Sequence, residues 1–95
     1  METRIVTRHP DPGKEGANIS KAIYDQLKES ILAVLQNVES LPEQELPQKV
    51  AEYLEEEISG DLNWYTETVK LDLLARELIE YEPGKPTHLR EKTFF

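Results

Sequence analysis

The stretch from Asp61 to Glu80 carries apolar side chains on two sides of one helix, and this constrains the fold more than any other segment. At about 100° per residue, Leu62, Tyr65, Val69 and Leu73 gather on one stripe, while Trp64, Leu71, Leu74, Ala75 and Leu78 form a second, roughly opposite. A helix of this kind must bury both sides, or offer one to a partner. Between the stripes runs a polar strip of Asn63, Thr66, Glu67, Lys70 and Glu77. Asp61 is suited to cap the helix start, after the break at Ser59-Gly60. Beyond the helix, Leu78-Ile79-Glu80-Tyr81 fits a strand, Pro83-Gly84-Lys85-Pro86 a turn, and Thr87-His88-Leu89-Arg90 the returning strand.

Two helices are expected upstream, the first of about five turns. Asn18 or Ser20 caps the first, in which Ile23, Leu27, Ile31, Val34 or Leu35, and Val38 recur every three or four residues. Ser40-Leu41-Pro42-Glu43 ends that pattern and offers a capping box, Ser40 with Glu43. Pro47 suits the first turn of the second helix, whose apolar row is Leu46, Val50, Leu54 and Ile58. The run Glu55-Glu56-Glu57 reads as a solvated face. Residues 1–17 hold two prolines, two glycines and no sustained period, so they form an arm, loose or docked. In a chain of 95 residues this leaves one domain over 18–92 and a short tail over 93–95.

The order helix, helix, turn, helix, hairpin resembles the winged helix-turn-helix superfamily, on Val69, Leu73, Leu78 and Ile79, where the last helix hands over to the first wing strand. The chain is more narrowly similar to a small bacterial family of uncharacterised winged-helix-like domains. That likeness rests on the arm His9-Pro10-Asp11-Pro12-Gly13-Lys14, on Gly16 and Asn18-Ile19, and on Trp64-Tyr65, Val69-Lys70-Leu71-Asp72-Leu73 and Ala75-Arg76. It implies a mainly α fold with a small β-hairpin, a three-helix winged domain, and carries no known activity. Helices of this type often place glycine just before the Leu-Ile pair, to reach a left-handed end. Here that position is Glu77, so either the cap is missing or Glu77 accepts strain.

Winged helices usually sit on DNA, whose phosphates demand positive charge, yet this chain has a net charge of −8. Residues 23–60 carry two basic and nine acidic side chains and residues 61–82 two and six, while the arm and wing are mildly basic. For DNA, Asn63 and Lys70 are the candidate base readers, with Lys85 and Arg90 of the wing on the backbone. Helix 61–77 and wing 80–90 would then make a DNA-binding regulator. Glu67, Asp72 and Asp61 outnumber the single lysine there, which favours the other reading, a non-enzymatic module acting through protein contacts or self-association. Its candidate interface is Trp64, Leu71 and Leu74, since tryptophan is over-represented among interface hot spots. The same residues are equally accounted for if the arm or the first helix covers them.

Other chemistry is poorly supported. With no cysteine, disulfides and thiolate chemistry are excluded. His9 and His88 lie in separate segments without metal-ligand spacing, and Gly13-Lys14-Glu15-Gly16 lacks the spacing and Ser/Thr of a phosphate loop. No nucleophile elbow or zinc-binding helix is present, so no enzyme, cofactor, metal or small-molecule ligand is expected. No apolar run approaches the roughly 18 residues of a membrane span, and Met1-Glu2-Thr3-Arg4 leads into no signal-peptide segment. The expected location is the cytosol.

Overall fold

The computed structural model describes residues 3–54, 57–58 and 60–92. Among the described residues, three helices and two small antiparallel sheets surround one core. A hairpin of β1 (Arg4–Val6) and β2 (Asn18–Ser20) leads directly into α1 (Lys21–Gln36). Then come β3 (Leu41–Pro42), a single 3-10 turn over Glu43–Glu45, α2 (Leu46–Tyr53), α3 (Leu62–Ala75), β4 (Ile79–Glu82) and β5 (Lys85–Glu91). The second sheet has the order β3-β5-β4, so two residues of the connection between α1 and α2 pair back onto the C-terminal hairpin. Pro42 is tolerated there because β3 lies at the sheet edge, where a missing N–H breaks no inner ladder.

Each helix start has a local cause. Ser20 accepts from the Ile23 N–H at 3.5 Å, and Asp61 accepts from the Trp64 N–H at 3.1 Å. Both are side-chain caps on otherwise unpaired helix donors. Pro47 sits in the first turn of α2, where its missing N–H costs nothing. The expected capping box of Ser40 with Glu43 does not form. The turn at Glu43 begins from Pro42 and α2 from Glu45, neither with a side-chain cap, because Leu41 is drawn into the sheet opposite Leu89.

The apolar periodicities mark the core with small shifts. Leu27, Ile31 and Leu35 of α1 are fully buried, but the stripe takes in Tyr24, with Ile23 and Val34 at its edge. Val38 lies past the end of α1 and is exposed. From α2 the core receives Leu46 and Val50. The helix stops at Tyr53, and Leu54 turns to an extended backbone, so Leu54 and Ile58 reach the same core from outside the helix. From α3 it receives Val69 and Leu73, and from the C-terminal hairpin Ile79 and Leu89. Glu57 is exposed, whereas Glu55, Glu56 and the tail 93–95 fall outside the described residues.

The end of α3 resolves the question raised at Glu77. That residue adopts φ 61°, the left-handed region. The Leu78 N–H donates to Leu73 O at 3.0 Å and the Glu77 N–H to Leu74 O at 3.1 Å, the paired bonds of a Schellman cap. The cap therefore forms without its usual glycine, and a residue with a Cβ carries a penalty of roughly 1–2 kcal/mol there. Glu77→Gly should raise stability by about 0.5–1 kcal/mol, a few degrees in Tm, after allowing for glycine's extra unfolded-state entropy. The exposed Lys92–Glu77 contact at 3.4 Å contributes little to offset that gain. A thermal melt that fell instead would show that the left-handed turn carries no strain.

Candidate interaction site

The N-terminal segment is held to the body by a chain of polar contacts. After β1, the Thr7 N–H donates to Ala17 O at 2.8 Å, and Thr7 Oγ1 accepts from the Ala17 N–H at 2.8 Å. Thr7 is buried at the centre of this closure, with Gly16 packed against its backbone. Arg4 spans the hairpin to Asn18, donating to its side-chain and backbone oxygens. Past Pro10 the chain makes a tight turn in which the Asp11 N–H donates to His9 Nδ1 at 3.0 Å.

The arm is joined to α3 by Asp72, a carboxylate with no exposed surface. Asp72 Oδ1 accepts from the backbone N–H of Arg8 at 2.8 Å. Asp72 Oδ2 accepts from the Tyr24 hydroxyl and from Arg76 Nε, the latter at 2.8 Å. One side chain thus links the arm, α1 and α3. A buried carboxylate is costly unless it is both paired and hydrogen-bonded, and here it is both. The composition of α3 alone suggested that Asp72 would add to a solvated acidic surface. The available signal was Arg76 at i+4 on the same face, a spacing that brings the two side chains together.

The hub alters two of its donors. Burial, then the hydrogen bond to Asp72, pushes the Tyr24 phenol up to about 12. The hydrogen bond to Asp72 also holds the Arg76 guanidinium above its ordinary value. For Tyr24 the folded value exceeds the unfolded value of about 10, so the folded chain keeps a proton that the unfolded chain loses. Its contribution is therefore intact below pH 10 and disappears as pH rises towards about 12. Tyr81 is likewise pushed up to about 12, so denaturant titrations across that window should show about 2–3 kcal/mol more lost in wild type than in Tyr24→Phe. Equal slopes in both proteins would remove Tyr24 from the account.

On the outer side of the arm, a cleft of about 260 Å³ opens against α3, bounded by Thr7 to His9, Glu15 to Ala17, Trp64, Thr68 and Leu71. A second, of about 650 Å³, shares these arm residues except Ala17, adds Lys14, and ends on Val6 and Ala75. Trp64 stands at the rim, 49% exposed, with Tyr65 edge-on at 5.1 Å. Trp64 and Leu71 are therefore neighbours on one cleft, whereas Leu74 packs against the core and does not line either. The arm walls part of the second apolar stripe of α3 and leaves Trp64 open.

The candidate nucleic-acid contacts are scattered and largely neutralised. Asn63 is exposed on α3. Lys70, by contrast, has a side chain only 4% exposed and is held at 2.8 Å from Glu67 and 3.8 Å from Glu43. It is buried because α3 also packs its polar strip inward, Thr66 included, and so presents no amine to a groove. Lys85 lies 3.7 Å from Glu82, and Arg90 Nη2 lies 2.6 Å from Glu80. Among the described residues no group of three or more His, Asp or Glu side chains is placed to hold a metal ion, and no helix is long and apolar enough to cross a membrane.

No curated protein and no solved structure matches this chain. The hub, both clefts and the arm from Arg4 onward lie within residues 4–89, the span matched by the family of unknown function DUF6958, and the chain belongs to that family.

Proposed function

We propose that this chain is a non-enzymatic winged-helix module that acts through protein contacts on the Trp64 face of α3. The connectivity supports the winged-helix reading: helix, short strand, two helices, then a hairpin whose second strand lies between its first strand and that short strand, in the order β3-β5-β4. The observation that carries the function is Trp64, a large rigid side chain left 49% exposed at the mouth of a cleft. Such residues dominate binding energy when a partner desolvates them.

DNA binding is the second reading, favoured by the connectivity and by Asn63, exposed on α3. Charge weighs against it. Lys70 is buried between two carboxylates, and Lys85, Arg90 and Lys92 each face an acid. A phosphate contact by any of these four side chains would first have to displace one of these partners. The test is a titration of isotope-labelled protein with mixed-sequence duplex DNA at low salt. No shift of the α3 or wing amides is expected, even at near-millimolar protein, where non-specific binding of about 10⁻⁴ to 10⁻⁶ M would be plain. Shifts confined to α3 and the wing would overturn the protein-contact reading in favour of DNA.

A further inference from the structure

We infer that the furrow between the arm and α3 takes a short extended peptide from a partner protein, with a carboxylate side chain seated on Arg8 and apolar residues on either side. This rests on the protein-contact reading above and specifies its partner. Acidic side chains number 19 against 11 basic ones, so cations here are mostly spoken for. Lys14, Lys21, Lys49, Lys70, Arg76, Lys85, Arg90 and Lys92 each lie within 4 Å of a carboxylate, and Arg4 is bonded to Asn18. Among the described lysines and arginines, only Arg8 and Lys28 have no partner for their charge. Arg8 lines both clefts, while Lys28 lines neither.

Arg8 is also fixed in place. Its backbone N–H is fastened to Asp72 at 2.8 Å, so the exposed guanidinium projects from an anchored point. Pre-organisation of this kind lowers the ordering cost of binding. The furrow is apolar at both ends, with Trp64 at one and Val6 and Ala75 at the other, and Leu71 lies between them; Val6 is 64% exposed. Trp64 and Ala75 are eleven positions apart on α3, about 16 Å at 1.5 Å per residue, a span of about five extended residues. An apolar–x–acid–x–apolar peptide matches that length.

Glu15 stands on the same furrow, so the site carries both signs. Asp72 of α3 is engaged by Arg76 and Tyr24, and acid farther off is screened over a Debye length of about 8 Å, leaving local pairing to decide. Carboxylates are abundant over the whole surface, whereas an anchored, unpaired arginine beside an open tryptophan occurs at this one place among the described residues. A guanidinium and a carboxylate form the stronger, two-pronged pair.

The test pans a random nonapeptide display library against the immobilised full chain and measures resynthesised peptides against three variants. Arg8→Gln keeps the backbone bond to Asp72, Trp64→Ala removes the rim, and Lys28→Gln serves as a cation control. Amide spectra confirm that each variant is folded. Enriched peptides should carry Asp or Glu between apolar residues, and should lose about tenfold or more in affinity with Arg8→Gln and with Trp64→Ala, but not with Lys28→Gln. Binding that depends on Trp64 but not on Arg8 would overturn this inference and leave the protein-contact reading standing. No Trp64-dependent peptide at all would overturn both. Dimers seen by sedimentation and lost in Trp64→Ala would assign the furrow to a second copy instead.

Discussion

Asp72→Ala should cost this domain about 3–5 kcal/mol and lower its Tm by at least about 12 °C. The carboxylate has no exposed surface and accepts from the Arg8 N–H, the Tyr24 hydroxyl and Arg76 Nε. Its loss leaves a backbone donor and a phenol facing apolar neighbours without partners, each costing about 1–3 kcal/mol. The guanidinium adds less, because the Arg76 side chain is 28% exposed and can turn to water. Asp72→Asn keeps the shape and one acceptor oxygen but no charge, so it should fall between wild type and alanine. Circular dichroism melts give the ranking, and limited proteolysis gives the location. If the arm opens first, cutting before Ile19 accelerates at temperatures where the far-ultraviolet signal is still native. A variant that melts within 2 °C of wild type would show that the hub contributes no stability.

Tyr24, Arg76 and Asp72 also explain what sequence reading catches and what it misses. Local chemistry was legible: Asp61 caps α3, Pro47 starts α2, and Pro83-Gly84 turns the last hairpin with Gly84 at φ 81°. These features are decided within four residues, so a short window contains their cause. The apolar rows found the core but not always the element. Ile58 packs on it from outside a helix, because an i+4 row records burial and not backbone conformation. Most of the hub was hidden for the opposite reason. Apart from Arg76 at i+4, its partners lie 48 and 64 residues from Asp72, and an aspartate among leucines looks the same whether it meets water or a phenol. Likewise β3 has only two residues, too few for any periodicity, and exists because Leu89 and His88 are there to pair with it. Of the residues named for the candidate interface, Trp64 and Leu71 line one cleft, while Leu74, three residues beyond Leu71, packs on the core. Lys70 was read as exposed from its polar strip, but Glu43 and Glu67 enclose it.

Gly16→Ala should release the arm while leaving the three helices folded. A Cβ built at Gly16 would stand 1.9 Å from the backbone oxygen of Thr7 and 2.5 Å from its Oγ1. Main-chain atoms cannot swing aside as a flexible side chain can, so the two segments must part. Parting them gives up the Thr7 N–H bond to Ala17 O and the Ala17 N–H bond to Thr7 Oγ1, both 2.8 Å. At about 1 kcal/mol net for each bond, plus exposure of Thr7, the loss is about 2–4 kcal/mol, much of it local to the hairpin. Release withdraws one wall of the furrow and frees the Arg8 anchor on Asp72, so peptide binding and arm order should fail together. Hydrogen exchange separates this from global unfolding. In Gly16→Ala the amides of Thr7, Arg8 and Ala17 should lose protection, while those of Ile31 and Val69 keep most of theirs. Uniform loss across all five would mean that the arm and the helices unfold as one unit. In that event the furrow could not open without melting the fold, and any partner must bind it as it stands.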